Sequence, residues 1–147
     1  MTKPKAKTLQ QRFGFLDDDL TTPKHDEMMI WANDNAKQLV SEVLGEPLDV
    51  LDITWECSVK TSTNFLIGFI DLAILASNHT LVCFEIKTKI PSLGELLRQI
   101  NMYREPVNRL GQRGSQAKYA SFAVIAPDDR FSPILREQGI EFIKYTG

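Results

Sequence analysis

The chain has 147 residues, 43% hydrophobic and 24% charged, which fits one domain folding in water around its own core and excludes disordered, collagen-like and disulfide-scaffold classes. Lys and Arg number 17 against 19 Asp and Glu, a formal net charge of -2, so no global positive field drives indiscriminate binding to nucleic acid or an anionic membrane. A polyanionic partner must be gripped by a local patch. Cys57 and Cys83 lie in apolar stretches without C-x-x-C spacing and read as buried reduced thiols. No apolar run approaches the roughly 18 residues of a membrane span, and the N-terminus lacks the apolar core of a signal peptide, which predicts a cytoplasmic protein with no membrane partner.

Residues 1–24 are polar and broken by Pro4, Gly14 and Pro23, and read as an extended arm whose acidic triplet Asp17, Asp18 and Asp19 forms a solvated turn. Residues 25–147 read as a single domain. From Asp26, the apolar positions Met29, Ile30, Ala32, Ala36, Leu39, Val40, Val43 and Leu44 recur at helical spacing until Gly45 and Pro47, which predicts one amphipathic helix. Alternation from Val50 to Val59 predicts a strand, and the nearly continuous apolar run from Phe65 to Leu75 predicts a second, buried on both faces. Ser77, Asn78 and His79 form a turn into a third strand, Leu81 to Ile86, closing a hairpin. Ser92 is an N-cap with Glu95 in the capping-box position, opening a helix that Pro106 is expected to end at about Glu105. After a loop containing Gly111 and Gly114 come a strand from Tyr119 to Ala126, a short helix from Ser132 to Gln138 and a last strand from Ile140 to Tyr145. The order α-β-β-β-α-β-α-β implies an α/β fold: a mixed central sheet, antiparallel in its first half and parallel in its second, flanked by helices.

Asp71 and Glu85 stand near the middle of apolar strands, where a charge is expensive unless paired. With the hairpin centred on Asn78, facing residues have numbers that sum to 156, so Asp71 and Glu85 are predicted to be direct cross-strand neighbours. Lys87 points the same way as Glu85, two residues along the strand. Two carboxylates and a lysine on one face are what metal-assisted phosphodiester hydrolysis requires. Asp71 and Glu85 supply hard oxygen ligands for Mg²⁺ or Mn²⁺, the Ile86 backbone carbonyl is a third ligand, and Lys87 positions or helps deprotonate the attacking water.

Ile70-Asp71 followed by Glu85-Ile86-Lys87 resembles the bipartite signature of the PD-(D/E)XK nuclease superfamily, with Ile70 in place of the proline. The resemblance runs from the Asp26 helix to about Tyr145 and implies a restriction-endonuclease-like fold with the acidic residues on its central strands. Gln99-Ile100-Asn101-Met102-Tyr103 is similar to the Q-x-x-x-Y element of the RecB-like exonuclease branch. Its spacing puts Gln99 and Tyr103 on one helix face, where an amide and a phenol can orient an attacking water or a substrate phosphate. Tyr103 also fits the apolar stripe of its helix. His25 and Glu27 stand where related nucleases carry an extra histidine or acid near the metal, and Glu27 is read as the fourth metal-site member.

Between Arg98 and Lys118 the basic residues Arg98, Arg104, Arg109, Arg113 and Lys118 face the single acid Glu105, a local excess that reads as a DNA-gripping rim. The expected function is therefore metal-dependent DNA hydrolysis by Asp71, Glu85 and Lys87, supported by Gln99 and Tyr103. The alternatives are a dimeric structure-selective endonuclease such as a junction resolvase, in which a homodimer doubles the patch, and a nuclease-fold module that binds DNA or protein without cutting.

Overall fold

The N-terminal amphipathic segment forms two helices, not one. In the computed structural model, which describes residues 22–109 and 116–147, α1 spans Pro23–Asp34 and α2 spans Ala36–Leu44. Thr22 caps α1 by accepting the His25 N–H at 3.1 Å, and Pro23 takes the first helical position, where its missing N–H is harmless. Pro23 and Lys24, expected in the arm, therefore belong to α1; the remainder of that expectation, including Asp17 to Asp19, lies outside the described residues. The break falls at Asn35, whose side-chain amide and backbone N–H both donate to the Trp31 carbonyl, at 2.8 and 3.0 Å. An asparagine that competes for backbone carbonyls interrupts a helix without disturbing its apolar periodicity, so the pattern alone does not reveal it. Gly45, at φ +74, ends α2 in the left-handed conformation.

Five strands follow: β1 Val50–Lys60, β2 Leu66–Ala76, β3 Thr80–Ile86, β4 Tyr119–Ala126 and β5 Ile140–Lys144. They form one sheet in the order β1-β2-β3-β4-β5, antiparallel from β1 to β3 and parallel from β3 to β5. The fold is thus the expected α/β architecture, a mixed five-stranded sheet with flanking helices. The β2–β3 turn ends at His79, whose φ of +67 takes the left-handed place usually held by glycine in a three-residue hairpin loop. That turn sets the pairs Leu72↔Phe84 to Leu75↔Leu81, the predicted register. The helix α3, Leu93–Asn108, is capped by the Ser92 hydroxyl at 3.2 Å from the Glu95 N–H. It passes through Pro106 instead of stopping before it: the proline forfeits only its own N–H, and burial of Pro106 and Val107 holds the last turn. A short α4, Ser132–Glu137, links β4 to β5.

Two cores form, one on each face. Beneath α1 and α2, Met28, Met29, Leu39 and Val40 pack on Leu72, Ile74, Phe84, Ile86 and Ile125. Beneath α3, Leu96, Ile100, Tyr103 and Val107 pack on Val59, Ile70, Cys83, Val124 and Phe142. Cys83 is buried and Cys57 half-buried, both thiols are free, and burial pushes both above their ordinary range. Among the described residues no helix is long and apolar enough to cross a membrane.

Candidate active site

The memberships of the two cores locate an irregularity in the sheet. On β1, Ile53 and Trp55 pack into the α1–α2 core but Cys57 into the α3 core; on β2, Leu72 belongs to the former and Ile70 to the latter. Residues two apart in a regular strand share a face, so both strands turn over between these positions, at Glu56 and Asp71. Glu56 has φ +51, a left-handed conformation uncommon for a residue with a side chain, and it accounts for the reversal. Glu56 and Asp71 lie at the same level, between the pairs Trp55↔Leu72 and Cys57↔Ile70.

At this level β2 and β3 separate. Their last backbone pair is Leu72↔Phe84, one step short of Asp71 and Glu85, which stand at the same level as predicted but are not paired through the backbone. In place of a ladder bond, Asp71 Oδ2 accepts the Ile86 N–H at 2.9 Å. Lys87 N–H donates to the Ile125 carbonyl of β4, so by strand alternation both polar groups of Ile86 face β2. The Ile86 carbonyl is thereby turned toward the gap that Asp71 enters.

Asp71, Glu85 and Lys87 are 4%, 2% and 9% exposed. Lys87 Nζ lies 4.0 Å from Glu85 Oε2, so β3 does bring its acid and its lysine together. Of the two residues at the start of α1, His25 rather than Glu27 faces Asp71. His25 is buried with Nε2 at 3.5 Å from Asp71 Oδ2, whereas Glu27, two residues on and 200° around an α-helix, is exposed. The phase of α1, set by Met28, Met29 and Ala32 against the sheet, is the signal that selects His25.

Burial alone pushes the Asp71 carboxyl up; the neighbouring His25, the charge of Lys87 and the Ile86 N–H outweigh it and hold the group below its ordinary value. Two carboxylates against one ammonium leave the cluster with one more negative than positive charge whenever His25 is neutral. On the opposite side, α3 presents Tyr103, fully buried, with Gln99 half-buried one turn earlier. Burial and the nearby Glu85 charge hold the phenol well above its usual range. Tyr103 is thus both a core residue and a neighbour of Glu85. Its hydroxyl rests on Gly68 of β2, where a Cβ would stand 3.2 Å from Tyr103 Cζ and nearer still to the hydroxyl oxygen.

The described basic residues between Arg98 and Lys118 are spread along α3 and up to the start of β4. Arg104 donates to the Gln138 carbonyl at 2.6 Å, Arg109 pairs with Glu105, and Arg98 pairs with Glu95 at 2.6 Å. Lys118 N–H donates to the His79 carbonyl, which places Lys118 beside the β2–β3 turn at the end of the sheet away from Asp71. Arg113 and the Gly111 to Gly114 loop lie outside the described residues. α3 is about 24 Å long at 1.5 Å per residue, so its basic residues stand at different distances from Gln99 and Tyr103. Exposed lysines also flank site residues in the chain, Lys24 beside His25 and Lys89 two residues after Lys87.

Among the described residues no group of three or more His, Cys, Asp or Glu side chains is placed to hold a metal ion. Asp71 and Glu85 remain as two buried carboxylates at one level of neighbouring strands, and Mg²⁺, which keeps several of its waters, is commonly held by one or two carboxylates.

No protein-family profile and no curated protein matches the chain. Among solved structures it is similar to a repair endonuclease from Pyrococcus abyssi, at 18% identity and a TM-score of 0.47 over 77% of this chain and 46% of that one. It is also similar to EndoMS in a complex with double-stranded DNA, at 20% identity and a TM-score of 0.46 over 77% and 44%. The chain spans less than half the length of either.

Proposed function

We infer that the protein is a Mg²⁺-dependent deoxyribonuclease of the PD-(D/E)XK type. The observation that supports this reading is the end of the β2–β3 ladder one step short of Asp71, beside which Asp71, Glu85 and Lys87 are all buried, with Lys87 next to Glu85. A stabilising core does not need such a group, since buried ion clusters contribute less than apolar residues of equal volume.

Asp71 and Glu85, with the Ile86 carbonyl, would hold the ion. Bound there, Mg²⁺ supplies positive charge against a phosphate oxygen and lowers the pKa of a water. Lys87 keeps its ammonium beside Glu85, positioned to stabilise negative charge growing on the phosphate and to orient the attacking water. His25 holds the Asp71 carboxylate ionised and oriented from the α1 side. Tyr103 lies near Glu85 on the α3 side, one turn beyond Gln99, and its phenol, held well above its usual range, stays protonated and can donate to a substrate oxygen.

A second reading, a module that binds DNA without cutting, is favoured by the limit of two carboxylates in the described cluster. The deciding experiment is a cleavage assay on supercoiled, linear, single-stranded and four-way-junction DNA with Mg²⁺ or Mn²⁺, with Lys87→Ala alongside. Metal-dependent cutting lost in the variant supports the nuclease; DNA binding with no cutting under any condition supports the module.

A further inference from the structure

The β1–β2 hairpin runs on past the last β2–β3 pair, at the end of the sheet where Asp71 and Glu85 stand. Its arm is anchored: Val59 and Ile67 pack into the α3 core, and Gly68 lies against Tyr103. Its tip, residues 61–65, is closed by its own hydrogen bonds. Thr61 N–H donates to the Phe65 carbonyl and Asn64 N–H to the Thr61 carbonyl, both at 2.9 Å, while the Phe65 N–H donates to the Thr61 hydroxyl at 3.1 Å. On this tight frame Phe65 is 71% exposed, the most exposed of the large hydrophobic residues described. Displaying a phenyl ring on an ordered loop forgoes its burial, and nothing in the arm's packing requires it there.

The chemistry around the ring points to one kind of partner. From Cys57 to Ile70 there is no Asp or Glu, in a chain with an overall charge of -2; the segment offers Lys60, the hydroxyls of Thr61, Ser62 and Thr63, and the Asn64 amide. Those groups suit a phosphate backbone. A phenyl ring has no donor or acceptor for a groove edge, and the DNA contact that covers most of it is stacking on an exposed base face. Six residues of strand separate Phe65 from Asp71, at most about 20 Å, or about six duplex steps of 3.4 Å.

We propose that the hairpin tip is a DNA-holding element of the enzyme, in which Phe65 stacks on an unpaired base of the substrate within about six nucleotides of the scissile phosphate while Lys60 and the tip hydroxyls hold the adjoining backbone. The assignment rests on the nuclease reading above and adds to it a substrate class: DNA with a single-stranded segment beside the cut.

The test is fluorescence-anisotropy binding of the full chain in EDTA to a labelled single strand, a duplex with an overhang and a blunt duplex, followed by cleavage kinetics with Mg²⁺. Phe65→Ala is expected to weaken binding to the strand and the overhang about tenfold, the loss expected for one base–aromatic stack, with little change on the blunt duplex. Phe65→Trp is expected to restore it. Tyr119→Ala, which removes an equally exposed ring at the opposite end of the sheet, is expected to change nothing. Phe65 being exposed, its truncation leaves the fold intact, which circular dichroism verifies. Unchanged binding by Phe65→Ala in a protein that still cuts DNA overturns the stacking assignment and leaves the nuclease standing. A wild type that neither binds nor cuts any of these DNAs overturns the nuclease reading, and this one with it. A change in sedimentation from dimer to monomer on Phe65→Ala, without loss of DNA affinity, would assign the ring to a second copy of the chain and also overturn it.

Discussion

Gly68→Ala tests the packing that joins the hairpin arm to α3. Gly68 does not use a left-handed backbone, so on conformational grounds alone an added methyl would stabilise by about 0.4–1 kcal/mol through the unfolded chain. The contacts decide the other way. The new Cβ would stand 3.2 Å from Tyr103 Cζ and 3.3 Å from Cε1, and closer to the hydroxyl. Tyr103 is fully buried, so the ring cannot swing into solvent, and either α3 or the arm must move. Overpacking of this kind costs about 1–3 kcal/mol, so a net destabilisation of about 2 kcal/mol is expected. Urea unfolding should show it as a lowered midpoint with an unchanged slope. In a Tyr103→Phe background the nearest obstruction is gone, and the same substitution should cost under about 1 kcal/mol, a coupling of about 1–2 kcal/mol between the two positions. A stabilising or neutral Gly68→Ala, or strict additivity with Tyr103→Phe, would refute the close approach.

In metal-free protein, Asp71 titrates below its unfolded value of about 3.9, so its contribution to stability is present above about pH 4 and lost as the pH falls through the folded value; Asp71→Asn should therefore flatten the acid limb of stability measured by urea midpoints across pH. Lys87→Ala should lower kcat for DNA cleavage about 10²- to 10³-fold with DNA affinity retained, measured by single-turnover kinetics and anisotropy. His25→Ala should lower the cleavage rate whereas Glu27→Ala should leave rate unchanged and stability within about 0.5 kcal/mol, because only the former faces Asp71. Arg104→Ala should destabilise by about 1 kcal/mol through loss of its bond to Gln138 without weakening DNA binding; a drop in affinity would show that Arg104 contacts DNA after all.

What the sequence makes legible follows the physics of each signal. Strand alternation and the three-residue turn at Ser77 to His79 set the hairpin register, so Asp71 and Glu85 could be placed at one level by counting. Helix ends with a side-chain cap, such as Ser92, are local and readable. The interruption at Asn35 is local too, but it leaves the apolar periodicity untouched and is therefore invisible to it. The choice between His25 and Glu27 depends on the rotational phase of α1, which the apolar positions Met28, Met29 and Ala32 encode, though only once the sheet they pack on is known. The basic residues after Arg98 are less legible, because a helix of 16 residues spreads charges that are close in sequence, and Arg104 and Arg109 meet partners of their own along it. Proline at position 106 shows that a breaker near the C-terminal end of a helix removes one bond and no more.

The left-handed Glu56 links the fold to the chemistry. A regular β1–β2–β3 ladder would satisfy both polar groups of Ile86 against Ile70 and leave Asp71 as a like-charged neighbour of Glu85, an arrangement that opposes folding. By turning over at Glu56 and Asp71, the arm swings its next residues onto α3 and the ladder ends one step early. Asp71 then satisfies the Ile86 N–H with its side chain, which converts a repulsive pair into a carboxylate fixed by the strand it would have paired with. The Ile86 carbonyl loses its ladder donor in the same movement and faces the gap. The end of the ladder at Asp71 and the reversal at Glu56 thus go together, and Gly68 is what lets the reversed arm settle against Tyr103 closely enough to hold it.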